Sequence, residues 1–154
     1  MKSKGYLLSF VLSSSMACTL LSGCQKNTGN STDEQTNGIN IEGFETTASG
    51  LRYRVMIEGE GEKPTSHSDV STHYVGKHMN GMEFDNSYTR GSPLEANLKH
   101  VINGWQECLQ MMKVGSIYEI VVPPELAYGQ NGYKSSIEPN ETLYFRIELL
   151  EVMK

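Results

Sequence analysis

Only one stretch of this chain carries a helical period. Ile102, Trp105, Cys108, Leu109 and Met112 recur every three or four residues, so one short amphipathic helix spans about Gly104 to Met112. The other patterned stretches alternate. Leu51, Tyr53, Val55 and Ile57 alternate with Arg52, Arg54 and Glu58 and read as a half-buried strand, broken by Gly59 to Pro64. Val70, Thr72 and Tyr74 share one strand face, with Ser71, His73 and Val75 on the other. Asn80-Gly81 is a strong hairpin signal, and it returns the chain so that Phe84 and Asp85 lie near Tyr74. Ser116 to Val122 is a strand stopped by Pro123-Pro124, because proline cannot donate to a sheet ladder. Leu143, Phe145, Ile147 and Leu149 alternate in a long final strand. Strands with one helix segregated between them imply an α+β fold, a curved antiparallel sheet folded onto that helix.

The patterned region starts late. Lys2 and Lys4 precede an apolar run from Tyr6 to Leu21, diluted by serines and too short to span a bilayer as a mature helix. It ends in Leu21-Ser22-Gly23-Cys24, which looks like a bacterial lipobox: an aliphatic residue, two small residues, then the cysteine that receives lipid. Residues 1–23 are therefore expected to be a lipoprotein signal peptide, with Cys24 the lipidated N-terminus of the mature chain. Cys18 is a poor rival, since Ser15 stands where an aliphatic residue is needed. Residues 24–43 are a lipidated start and a polar linker with almost nothing to bury. About 19 residues of flexible coil reach roughly 25 Å. Residues 44–154 are one domain's worth of chain.

Composition narrows the function. The net charge is −5, and loss of Lys2 and Lys4 with the leader takes it to −7. An acidic chain without a basic stripe argues against a nucleic-acid partner. His67, His73, His78 and His100 have neither CxxC partners nor HExxH spacing, so no metal site is expected. No Gly-rich phosphate loop precedes a helix, and no serine sits in a nucleophile elbow. Cys108, one turn after Trp105 on the inward helix face, reads as a small buried hydrophobe rather than a nucleophile.

The aromatic residues are where a packed core and a binding site compete. By pattern alone Trp105 and Phe145 are core. Tyr128 and Tyr133, however, fall in a loop from Ala127 to Glu141 rich in Gly, Asn and Ser, where binding residues concentrate. Asp85 follows an inward-facing Phe84, so its carboxylate needs partners, and Tyr74 and Arg90 are the natural ones.

Four fragments stand in order with compatible gaps: His73-Tyr74-Val75-Gly76, Phe84-Asp85, Val101-Ile102-Asn103-Gly104-Trp105 and Ala127-Tyr128-Gly129. Together they resemble the FKBP family, the macrolide-binding peptidyl-prolyl cis-trans isomerases, from about Phe44 to Lys154. The resemblance implies a sheet wrapped around the helix with an apolar pocket between them. It places Trp105 as the pocket floor, and Tyr74, Phe84, Val101, Ile102 and Phe145 as walls. Asp85, Arg90, Tyr128 and Ile137 become the rim, and Tyr74, Asp85, Trp105, Tyr128 and Phe145 the catalytic group.

Leu94, Tyr133 and Ser136 depart from the family's usual residues, and Pro93 to Val101 is about two residues short. These changes bear on ligand preference and on affinity for macrolide inhibitors. The implied activity is isomerisation of X-Pro bonds in exported polypeptides, without a cofactor, by a lipid-anchored monomer in a bacterial envelope. The site would face the periplasm, or the anchor would lie in the outer membrane, if the source has two membranes. The alternative is a tethered chaperone or prolyl-peptide-binding module with little turnover.

Overall fold

The computed structural model describes residues 38–153. Cys24, the leader and most of the linker lie outside the described residues. The alternating segments form β1 (Glu45–Thr46), β2 (Arg52–Ile57), β3 (Asp69–His78), β4 (Glu83–Asn86), β5 (Leu94–Asn97), β6 (Ile117–Val122) and β7 (Leu143–Met153). They build one antiparallel sheet in the order β1-β2-β6-β7-β3-β4, with β5 also paired to β3. The α+β expectation therefore holds. The spine is the β3–β7 ladder, running from Asp69 opposite Met153 to His78 opposite Leu143. At Asn80-Gly81 the chain turns as its composition predicts: His78 N–H donates to Met82 O at 2.8 Å, and Gly81 takes a φ of 89°.

The main helix, α2 (Asn103–Met111), lies one residue earlier at each end than its period indicates, and it buries Gly104, Trp105, Cys108 and Leu109. Gly104 sets how closely it approaches the sheet. A Cβ there would stand 2.5 Å from Val122 Cγ1, so a side chain would push the helix start off β6. Leu51, Val70, Leu98, Leu109, Met112, Ile120, Ile147 and Leu149 complete the core around it. Cys108 belongs to that core: it is fully buried, its Sγ donates to Met112 Sδ at 3.7 Å, and burial pushes its thiol well above the usual range.

Three features were not legible in the pattern. Val55 and Ile57 are 44% and 52% exposed rather than half-buried. On its outer edge β2 meets β1 only at Arg52 and Tyr53, and its register to β6 shifts between Val55 and Ile57, so the end of the strand projects past its cover. The single turn α1 (Ser87–Arg90) exists because Asn86 caps it, accepting from Tyr88 N–H at 2.9 Å and Thr89 N–H at 3.4 Å. Strand β5 alternates Leu94 and Ala96 with Glu95 and Asn97, too short a run to stand out, and is held by its pairing with β3.

Candidate functional site

A cavity of about 330 Å³ opens between α2 and the sheet. Each bordering element contributes side chains. Trp105 comes from α2, Tyr74 from β3, Phe84 and Asp85 from β4, Leu94 and Ala96 from β5, and Phe145 from β7. His100, Val101 and Ile102 enter from the turn before α2, and Tyr128 and Tyr133 from the loop after β6.

The inner rings meet edge to face. Tyr74 and Phe145 stand nearly perpendicular to Trp105, at centroid distances of 4.9 and 5.4 Å, and Phe84 is perpendicular to Phe145 at 5.7 Å. This is the arrangement favoured by ring quadrupoles. Gly76 makes room for it, since a Cβ there would lie 2.8 Å from Phe84 and 3.0 Å from Phe145. Trp105 is buried, and its Nε1–H has no nitrogen or oxygen acceptor among the described residues. The outer rings differ: Tyr128 and Tyr133 stack face to face at 4.9 Å, and Tyr133 is 43% exposed.

Asp85 is spent on its neighbours. The Tyr74 hydroxyl donates to its Oδ2, Arg90 Nη1 donates to its Oδ1, and Arg90 Nη2 donates to the Tyr74 hydroxyl oxygen at 3.2 Å. Burial, reinforced by the bond to Asp85 and opposed by Arg90, pushes the Tyr74 phenol up to about 12. The Asp85–Arg90 pair is partly exposed, so its role is to orient Tyr74 more than to add stability. Tyr128 is likewise raised, by burial first and then by Tyr133 and Asp85. Neither its hydroxyl nor the Ile102 N–H is donated within the described residues, so both are free to donate at the cavity.

The loop bearing the outer tyrosines is pinned at its far end. His78 Nδ1 meets Glu141 Oε1 at 2.5 Å, Glu141 Oε2 accepts from Glu138 N–H at 2.8 Å, and the His78 ring packs on Phe84 at 5.1 Å.

Two sequence-predicted rim residues sit elsewhere. Ile137 is 5% exposed and belongs to the core cluster, because its N–H and carbonyl both bond to Tyr133 and fold the loop inward; it does not line the cavity. Arg90 reaches the site only through Asp85 and Tyr74. Ala96, which does line the cavity, gives little signal in sequence, being a small residue in a strand of four.

Chemically, the lining offers an apolar aromatic chamber with donors at its mouth. Its ionisable groups are phenols, the engaged Asp85 and the exposed His100, with no serine, cysteine or lysine poised to attack a bound group. Among the described residues no cluster of His, Cys, Asp and Glu is arranged to hold a metal ion, and no helix is long and apolar enough to cross a membrane.

Residues 60–150 match the family described as FKBP-type peptidyl-prolyl cis-trans isomerase. The chain is 49% identical, over 115 residues, to the peptidyl-prolyl cis-trans isomerase Mip of Coxiella burnetii, a match covering 75% of this chain and 50% of Mip. The crystal structure of FkpA from Escherichia coli superposes with a TM-score of 0.69 at 48% identity, covering 72% of this chain and 52% of that one. A peptidyl-prolyl cis-trans isomerase from Pseudomonas syringae superposes with a TM-score of 0.68 at 34% identity, covering 73% of this chain and 83% of that one. The chain spans about half the length of the curated relatives it matches most fully. By its aligned domain and its fold, the chain belongs to the FKBP-type peptidyl-prolyl cis-trans isomerase family.

Proposed function

We propose that the chain accelerates cis–trans isomerisation of X-Pro bonds in exported polypeptides, by a mechanism without covalent or proton-transfer steps and without a cofactor. One observation carries this reading. The cavity joins an aromatic floor and walls to unspent donors, among them the Ile102 N–H and the Tyr128 hydroxyl, while its one carboxylate, Asp85, is already engaged. The uncatalysed rotation is slow because amide resonance sets a barrier of about 18–20 kcal/mol. Twisting the C–N bond breaks that resonance and makes the amide less polar. An apolar chamber therefore binds the twisted state better than either planar one. Proline packs on Trp105, and the two donors hold flanking carbonyls in the bent conformation that the twist requires. Tyr74, Asp85 and Arg90 hold the walls in place. A protease-free isomerisation assay on a proline-containing tetrapeptide tests the reading; tight binding of prolyl peptides without turnover would convert it to that of a binding module.

The same proposal includes a lipid anchor at Cys24, a bacterial envelope location and a monomeric domain. Its support is the lipobox-like Leu21-Ser22-Gly23-Cys24 and the polar linker after it. Cys24→Ser is expected to release the protein from membranes, and persistence of the serine variant in the membrane pellet would refute the anchor. Macrolide inhibitors of the family are expected to bind, but more weakly than to members with an aromatic at the position of Leu94 and an aliphatic at that of Ser136.

A further inference from the structure

The Tyr128 hydroxyl can hold a substrate carbonyl only while the loop that carries it keeps one conformation. Tyr128 stands outside the sheet, between the short turns Pro124–Leu126 and Gly129–Asn131. The peptide after it is held from across the loop, where Asn140 N–H donates to Gly129 O at 2.8 Å. Asn140 makes that bond from a left-handed φ of 58°, a conformation that residues with a side chain adopt sparingly and that the surroundings must hold.

A side-chain clasp supplies that hold. The β3–β7 ladder ends with His78 opposite Leu143, which sets Glu141 beside the imidazole. Glu141 uses both oxygens. Oε1 accepts from His78 Nδ1 at 2.5 Å, and Oε2 accepts from Glu138 N–H at 2.8 Å, closing residues 138–141 into a turn around Asn140. The two side chains are 18% and 20% exposed, so little water competes for the pair. Nδ1 carries a proton in one neutral tautomer and in the cation, so the bond survives either charge state of the ring. The imidazole also packs edge to face on Phe84, at 5.1 Å. His78 thus touches an inner wall of the cavity and, through Glu141 and Asn140, the residue beside its outer donor.

We infer that His78 and Glu141 are positioning residues for the Tyr128 donor. Neither lines the cavity, so they act through the loop and not on the substrate. The inference rests on the isomerase reading and gives the site a second anchor. Asp85 and Arg90 orient Tyr74 in the inner half, and His78 and Glu141 orient Tyr128 in the outer half.

The test is a double-mutant cycle against Tyr128→Phe. His78→Leu removes the donor of the clasp and keeps an apolar group against Phe84. Glu141→Ala removes the acceptor, whereas Glu141→Gln keeps a carbonyl oxygen and an amide that can close both bonds. His78→Leu and Glu141→Ala should each lower kcat/KM on a proline tetrapeptide about threefold, as a misplaced positioning group does. Glu141→Gln should restore turnover to within about 1.5-fold of the parent. In the Tyr128→Phe background no hydroxyl remains to be aimed, so the same two changes should cost less than about 1.3-fold further. Residues that only stabilise the fold would cost the same in both backgrounds. Full-size losses beside Tyr128→Phe, a His78→Leu or Glu141→Ala protein as active as the parent, or a glutamine variant as impaired as the alanine one overturns the inference. Denaturant melts identify a variant that fails to fold, and the cycle is then read from the other. If the parent turns over no peptide, the isomerase reading fails. The same cycle, read as peptide affinity from the emission of Trp105, the only tryptophan, then still decides the positioning.

Discussion

The cavity's two halves are made differently. Trp105, Tyr74, Phe84 and Phe145 come from the helix and three strands, and their rings cross at 84–90° in contact with the core. Tyr128 and Tyr133 come from a loop, stack on each other at 27°, and face solvent in part. An edge-to-face cluster on regular structure cannot shift one ring without shifting the rest, whereas a stacked pair on a loop can move as a unit. The inner half therefore couples function to stability, and the outer half separates them. If that contrast is sound, substitutions on the two sides must fall into different classes.

The largest effect is expected for Trp105→Ala. Loss of the floor should cost stability by about 4 kcal/mol and lower kcat/KM by about tenfold or more, read by denaturant melts and the peptide assay. A stable, active alanine variant would break the comparison outright. Asp85→Leu comes next. It strands the Tyr74 hydroxyl and Arg90, with a stability cost of about 1–3 kcal/mol, and activity should fall about fivefold as Tyr74 loses its orientation. Tyr128→Phe sharpens the other side. Activity should fall about fivefold through the lost donor while stability moves by less than about 0.5 kcal/mol. Equal losses in both measurements would show the loop to be as structural as the helix.

The smallest effect is expected for pH and for His100→Gln. No step requires a proton, so kcat/KM should be nearly flat between about pH 6 and 8, the range in which histidines as a class change charge. Replacing His100 should change turnover of an uncharged peptide by less than about twofold. A steep profile abolished by His100→Gln would defeat the proton-neutral mechanism. Stability should fall in alkali. Tyr74 and Tyr88 are both raised to about 12, each by burial first and then by a carboxylate partner. Between pH 10 and 12 the unfolded chain loses phenolic protons that the folded one keeps. Folding is therefore favoured fully below about pH 10 and progressively less as pH rises toward 12.

The inner half was readable from sequence because period and position agree there. Trp105 and Cys108 share a helix face, Tyr74 and Thr72 a strand face, and Phe145 an alternating run, so their meeting follows from topology. The outer half was less readable. Ile137 looks like an exposed loop residue, and only its pairing with Tyr133 folds it into the core. Leu94 and Ala96 do alternate with Glu95 and Asn97, but a run of four is too short to mark a strand. Val55 and Ile57 alternate correctly but run past their cover, a matter of sheet edges and not of pattern.

Cys108 has a consequence for how the domain can be watched. A thiol reacts as its thiolate, and here burial both blocks access and disfavours that form. Folded, the core offers no sulfur to an oxidant or an alkylating reagent, so oxidising surroundings leave it unmarked. The thiol becomes reactive only when α2 leaves the sheet. Its labelling rate is therefore a clock for the opening of the core, readable without denaturant.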